Sequence, residues 1–186
     1  MKRLFFCRHG ESYINIRDIF ATKQGASNDL GLTDKGKADA RTSAQQAKDE
    51  GLKFDAIVAS PLLRTQETAV IVAKSLNFPV QDIQTSSLLI ELQFGELEGT
   101  PWNAYWEAGH TYADLGEYKG AETLEAMQQR AQAALNYLRN MPEENILVVS
   151  HSAFGRALAR AIQGLPYTDE FENHISLPHN KILQLI

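Results

Sequence analysis

Two histidines and two arginines of this chain each stand just after a short apolar run. Arg8-His9-Gly10-Glu11-Ser12 follows residues 4–7, Ser60-Pro61-Leu62-Leu63-Arg64 follows Ala56 to Ala59, and Ser150-His151-Ser152 follows residues 146–149. A neutral imidazole is a nucleophile or a base near neutral pH. A guanidinium presents a planar fork that donates two parallel hydrogen bonds to a phosphate. Arg64 falls in the first turn of a helix that Ser60-Pro61 is suited to start, with serine capping free amides and proline at the first position. A cation there opposes the helix dipole unless an anion sits among those amides, which is an argument for phosphate over a neutral ligand. Each piece alone has an ordinary explanation, a hydrogen-bonded structural histidine or a surface helix arginine. Their joint placement at three strand ends carries the reading.

Strand ends converge only if the runs lie side by side in one sheet. Residues 4–7, 56–59 and 146–149 are short and wholly apolar, as strands buried on both faces must be. Helical patterns separate them. Thr33 is placed to cap a helix over 34–50, ended by Gly51. Leu124, Met127, Ala131, Ala134, Leu135 and Leu138 share one face of a helix that Pro142 stops. Phe154, Ala157, Leu158, Ala161 and Ile162 share a face of another, ended by Gly164. Residues 80–84 form a weaker strand pattern, and 181–186 read as a final edge strand. This alternation predicts an α/β fold: a three-layer α/β/α sandwich around a mostly parallel sheet, in one domain over residues 1–186. Open parallel sheets bind ligands at the carboxyl ends of their strands, where these residues lie. Residues 95–120 fit neither period. They carry Trp102, Tyr105, Trp106, His110, Tyr112 and Tyr118, and are expected to form an irregular, lid-like excursion over that end, whether as a satellite aromatic cluster, a wall of the pocket, or both.

Composition narrows the class. Of 186 residues, 44% are hydrophobic and 22% charged, which excludes a disordered or fibrous chain. A net charge of −5 argues against a general nucleic-acid binder but leaves room for a local cationic pocket. Cys7 is the only cysteine, so no disulfide framework or thiolate metal cluster is expected, and Cys7 itself reads as an inert core residue. No apolar run reaches membrane-spanning length, and residues 1–8 are too short for a signal-peptide core. The expectation is a cytoplasmic protein without a membrane partner. His174 and His179 are read as surface residues, and no metal site or other cofactor is expected.

The motifs resemble those of the histidine phosphatase superfamily, the phosphoglycerate mutase-like family. Its opening Arg-His-Gly-Glu-Ser/Thr, with asparagine six positions after the histidine, matches Arg8 to Ser12 and Asn15. Its Ser-Pro-Leu-x-Arg-x-x-x-Thr-Ala matches residues 60–69. A third block, Leu-x-Glu-x-x-Phe-Gly-x-x-Glu-Gly, matches residues 89–99, and Val-Val-Ser-His-Gly matches 148–152 with Ser152 in place of glycine. The four blocks, in order, span nearly the whole chain.

The resemblance implies a metal-independent phosphomonoesterase of the histidine acid phosphatase type, acting on a small phosphorylated metabolite through a phosphohistidine. His9 would be the nucleophile. Arg8, Arg64, Asn15 and protonated His151 would hold the phosphoryl oxygens, with Ser152 beside them. Glu91 would protonate the leaving oxygen and later take a proton from water, one carboxyl serving both steps. The loop 24–29 resembles a phosphate-contacting loop one residue shorter, which nominates Gln24 and Gly25. Glu98 is expected to be structural, capping the segment before Pro101. A phosphoglycerate mutase using the same nucleophile, or a phosphoprotein phosphatase acting on another protein, is the alternative. A silent phospholigand-binding module would need neither His9 nor Glu91.

Overall fold

The computed structural model describes residues 2–27, 29–165 and 176–186. Eleven regular elements follow one another among them: β1 (Arg3–Arg8), α1 (Tyr13–Arg17), α2 (Asp34–Asp49), β2 (Ala56–Ala59), α3 (Leu63–Ser75), β3 (Gln84–Thr85), α4 (Trp102–Glu107), α5 (Leu124–Asn140), β4 (Asn145–Ser150), α6 (Ser152–Gln163) and β5 (Ile182–Gln184). The strands form one sheet in the order β3-β2-β4-β1-β5. β1, β2, β3 and β4 are parallel, and β5 runs antiparallel along β1 at the edge.

Side chains alternate across the sheet and divide the interior in two. Leu4, Phe6, Ala56, Val58, Ile146 and Val148 face one way and pack with α5 and α6. Phe5, Cys7, Ile57, Ala59, Leu147 and Val149 face the other way, against α2 and α3. The layers are therefore α5 and α6, the sheet, then α2 and α3. Burial on both faces explains why the three central strands show no polar alternation. The six apolar residues named on α5 are all buried, as their spacing requires.

Several elements depart from the sequence expectation for local reasons. α3 starts at Leu63, not at Ser60. The Ser60 amide instead extends the sheet by donating to the Val149 carbonyl, and its hydroxyl is spent on His151. Residues 80–84 are not one strand. Val80–Asp82 forms a 3₁₀ turn after Pro79, and only Gln84–Thr85 pairs with β2. The excursion at 95–120 is more regular than expected. Pro101 opens α4, Gly109 with φ +84° follows its end, and 3₁₀ turns occupy Gly95–Leu97 and Ala113–Glu117. Its aromatic residues join the main core: Tyr105 lies 4.7 Å from Trp106 and 5.6 Å from Phe20, between ring centroids. Cys7 is buried, and desolvation pushes its thiol up to about 12, which keeps it protonated and inert. No helix among the described residues is long and apolar enough to cross a membrane.

Candidate active site

The parallel register sets Arg8 at the end of β1 beside Ser150 at the end of β4. β2 flanks β4 on the other side, so the three polar strand ends meet on one edge of the sheet. A cavity of about 320 Å³ opens there, with Arg8, His9, Asn15, Arg64, Glu91 and Ser152 on its wall. Phe20, Phe94, Trp102, Trp106 and Tyr112 supply the apolar part of the lining.

His9 is buried, and both of its ring nitrogens are engaged. Nδ1 lies 2.7 Å from the Gly10 carbonyl oxygen, which can only accept, so Nδ1 carries the proton. Nε2 then holds the lone pair, and it accepts from Arg64 Nε at 3.2 Å. Burial first, then Arg64 and Arg8, hold the ring well below the ordinary imidazole range and so neutral. A neutral Nδ1–H tautomer with a fixed Nε2 lone pair is the form a nucleophile needs.

The arginines around it are short of acceptors. Arg64 donates Nη2 to the Ala21 carbonyl at 3.0 Å, while its buried Nη1 has no partner. Desolvation lowers the Arg64 guanidinium to about 10, which still leaves it charged at neutral pH. Arg8 reaches the Leu177 carbonyl with Nη1, while its buried Nε has no partner. Buried donors left without acceptors are costly, and an anion that enters the cavity supplies them.

His151 is fully buried behind His9, with ring centroids 5.2 Å apart, and is not itself part of the cavity wall. Nε2 pairs with the Ser60 hydroxyl at 2.8 Å, and Nδ1 has no partner. Desolvation, then Arg64, His9 and Arg8, hold it well below the usual range. In the free site two guanidiniums and low dielectric favour the neutral ring, whereas the expected imidazolium belongs to the phosphoryl-bound state.

Glu91 is on the wall, but it is not a solvated loop residue. Oε1 accepts from the Phe154 and Leu92 amides at 2.9 and 3.0 Å, and Oε2 accepts from the Ala153 amide at 3.2 Å. It therefore caps the first turn of α6, where the N-cap residue His151 makes no side-chain cap. Arg130 on α5 fixes the same segment from behind. It pairs with Glu122 through Nε at 2.8 Å and Nη2 at 2.6 Å. It also donates to the carbonyls of Leu88, Ile90 and Glu91. Asn15 reaches the wall from α1. Its Oδ1 accepts from the Ser12 amide and hydroxyl at 3.0 and 2.8 Å, which leaves Nδ2 as the end that can donate.

Four other residues lie where they were not expected. Gln24 is exposed, and the Gly25 amide donates to Asp29 Oδ2 at 3.0 Å; neither lines the cavity. The other oxygen of Asp29 accepts from the Leu63 amide at 3.0 Å. Part of the anion anticipated at the α3 amides is therefore a carboxylate of the chain itself. Glu98 is structural, though not as a cap before Pro101: it accepts from the Thr22 amide at 2.9 Å and from the Thr22 hydroxyl. His179 is half-buried and tied to the site rather than free on the surface. Its Nδ1–H donates to the His9 carbonyl at 2.7 Å, and its ring stands 5.4 Å from that of His9. His174 lies outside the described residues.

Arg156 and Arg130 escaped the sequence reading. Arg156 lies one helical turn beyond Ser152 on the same wall, an i, i+4 spacing that could have nominated it. Arg130 falls on the α5 helix among polar positions and carries no such signal.

The model of the histidine phosphatase superfamily (branch 1) matches residues 4–184. The chain belongs to that superfamily. Within it, a 2,3-bisphosphoglycerate-dependent phosphoglycerate mutase from Brucella melitensis is 30% identical over 176 residues, covering 88% of this chain and 82% of that protein. The uncharacterized phosphatase PhoE of Bacillus subtilis is also 30% identical, over 165 residues, covering 88% of this chain and 79% of that protein. Among solved structures, YhfR of Bacillus stearothermophilus superimposes with a TM-score of 0.80 at 25% identity, covering 99% of this chain and 90% of that one.

Proposed function

We propose that this histidine phosphatase superfamily member is a metal-independent phosphomonoesterase that hydrolyses a small phosphorylated metabolite through a phosphohistidine on His9. The observation that carries the reading is the His9 ring, neutral and locked with its Nε2 lone pair free of a proton, beside guanidinium nitrogens that lack acceptors. In the first step Nε2 attacks phosphorus, the ester P–O bond breaks, and the leaving oxygen takes a proton from Glu91. Nδ1–H stays on the Gly10 carbonyl and stabilises the cationic phosphohistidine. In the second step Glu91 takes a proton from water, the hydroxide attacks phosphorus, and the P–N bond breaks to release inorganic phosphate. Arg8, Arg64 and Asn15 Nδ2 hold the equatorial oxygens, and His151 accepts a proton once the phosphoryl dianion offsets the guanidinium charges around it. A cavity of about 320 Å³ is at the small end of ligand sites, which favours a metabolite over a phosphoprotein. The single buried thiol suits a reducing, cytoplasmic setting.

A mutase is the second reading, because the Brucella relative of that name is as similar as the Bacillus phosphatase. One experiment separates the outcomes. Labelled esters, with 3-phosphoglycerate and a trace of its bisphosphate among them, are mixed with enzyme and quenched in alkali. We expect an acid-labile, base-stable protein phosphate that is absent from His9→Ala, with free phosphate as the product. No label in the wild type would overturn the covalent mechanism, and rapid isomerisation without phosphate release would select the mutase.

A further inference from the structure

We infer that His179 is a positioning residue for the nucleophile: its Nδ1–H, donated to the His9 carbonyl, braces the backbone from which the His9 ring takes its aim. The inference rests on the reading of His9 as the nucleophile. It goes beyond that reading by giving a role in the reaction to a third histidine, one that does not line the cavity.

Three separate elements hold the backbone around His9. The His9 amide donates to the Ser150 carbonyl on β4 at 2.9 Å. The Gly10 amide donates to the Thr68 hydroxyl on α3 at 3.1 Å, and that hydroxyl donates onward to the Arg64 carbonyl. The remaining group, the His9 carbonyl, is met by His179 Nδ1 at 2.7 Å, just before β5 begins. A carbonyl only accepts, so Nδ1 carries the proton. Burial, then Arg8, hold the His179 ring below the usual imidazole range, so the donor is a neutral ring near neutral pH. The segment that carries His179 grips Arg8 as well. The Leu177 carbonyl accepts from Arg8 Nη1 at 3.4 Å, and the Asn180 amide donates to the Arg8 carbonyl at 3.0 Å.

Residue 10 is where this bracing matters. A Cβ there would stand 2.8 Å from both the Gly36 carbonyl oxygen and Asn180 Oδ1, so the close packing leaves room only for glycine. Glycine also has the widest backbone freedom of any residue. Yet the Gly10 carbonyl is the group that selects the Nδ1–H tautomer of His9 and sets the tilt of its ring. A slack His9–Gly10 peptide would pass its motion to that carbonyl and on to the Nε2 lone pair, which must meet phosphorus in line. The peptide is therefore pinned at both of its polar ends, by Thr68 at the amide and by His179 at the carbonyl.

The test compares His179→Asn, whose side-chain amide can donate from near the Nδ1 position, with His179→Phe, which fills the space without a donor. His179→Ala replaces the second variant if the phenylalanine does not fold. Rapid quench follows phosphoenzyme formation from propyl phosphate and from nitrophenyl phosphate. The donor-free variant is expected to lose on the order of 10–100-fold in the rate constant at saturation, with both esters, as a small misalignment of reacting groups does. Independence from the leaving group separates this loss from that of a missing proton donor. The half-saturating concentration is expected to stay within about threefold of the wild type, because Arg8, Arg64 and Asn15 remain to bind the ester. His179→Asn is expected to recover the rate constant to within about threefold. The His9 Nδ1 proton is expected to give a resolved NMR resonance in the wild type and in His179→Asn, and one broadened by exchange in the donor-free variant. A wild-type rate without the donor, equal losses in both variants, or a loss confined to the half-saturating concentration would overturn the inference. Absence of a phosphoenzyme in the wild type sinks the nucleophile reading instead. The NMR comparison then decides the positioning alone, and an equally sharp Nδ1 proton in all three proteins overturns it.

Discussion

His9 and Glu91 are each held by groups that also constrain their chemistry. The Gly10 carbonyl and Arg64 Nε select one tautomer of His9, while three amides anchor the Glu91 carboxyl at the head of α6. If Glu91 supplies the leaving-group proton, its removal must matter in proportion to how badly the leaving group needs one. Glu91→Gln is expected to lower phosphoenzyme formation from alkyl phosphates by roughly 10²–10⁴-fold, the usual reach of general acid catalysis. Formation from nitrophenyl phosphate, whose phenolate leaves unaided, is expected to fall far less. Rapid-quench measurement of that single step decides it, and equal losses would make Glu91 a cap and nothing more. The glutamine can still accept from one α6 amide, so the stability cost is expected to stay near ~1 kcal/mol, as for other lost helix caps. Most of these residues were readable because each follows a buried strand directly. His179 was not, because its contact with His9 exists only once β5 turns back along β1, a pairing between residues 170 positions apart.

Elements place these groups through contacts that local sequence does not advertise. The strands β1, β2 and β4 and the helices α2, α5 and α6 follow from apolar period and end signals, within a residue or two of the expected bounds. α3 and residues 80–84 differ from their local signals because tertiary partners override them: His151 claims the Ser60 hydroxyl, Asp29 caps Leu63, and only two residues of β3 reach β2. Arg130 is the same lesson at the site itself. It binds α5 to the segment carrying Glu91 by donating to the carbonyls of Leu88, Ile90 and Glu91 itself, and its guanidinium lies 4.9 Å from the Phe154 ring centroid on α6. If this clamp aims the Glu91 carboxyl, its loss must reproduce the leaving-group signature of Glu91→Gln in weaker form. A lone Arg130 substitution strands Glu122, a partner only 10% exposed, and breaking such a pair costs about 3–5 kcal/mol. The cleaner variant removes both charges, Arg130→Met with Glu122→Gln. That pair is expected to slow alkyl ester hydrolysis at least tenfold more than aryl ester hydrolysis. A uniform loss for both esters, tracking a lowered Tm, would assign Arg130 to stability alone.

Across the whole molecule, an acidic chain concentrates cations and buried imidazoles at one sheet edge, and this arrangement couples folding to pH. His9 and His151 are both held neutral by burial and by the neighbouring arginines, with folded-state pKa values depressed below the unfolded value of about 6.5. Between those values the unfolded chain binds more protons than the native one, so native stability rises with pH through that window. It is fully present above about pH 6.5 and is lost as pH falls toward the folded pKa values. Two fully buried rings give a slope of up to about 2.7 kcal/mol per pH unit at its steepest, twice the value for one proton. An anion seated between Arg8 and Arg64 reverses the local field and favours imidazolium, so it should protect most at the acidic end. Thermal unfolding from pH 7 to 5 is expected to show a steadily falling Tm, flattened by inorganic phosphate or orthovanadate. His151→Gln removes one of the two rings and should roughly halve the slope, whatever its effect on absolute Tm. A Tm that climbs between pH 6.5 and 5 without anion would mean that these rings are charged in the native state. The neutral His9 nucleophile would then lose its physical basis.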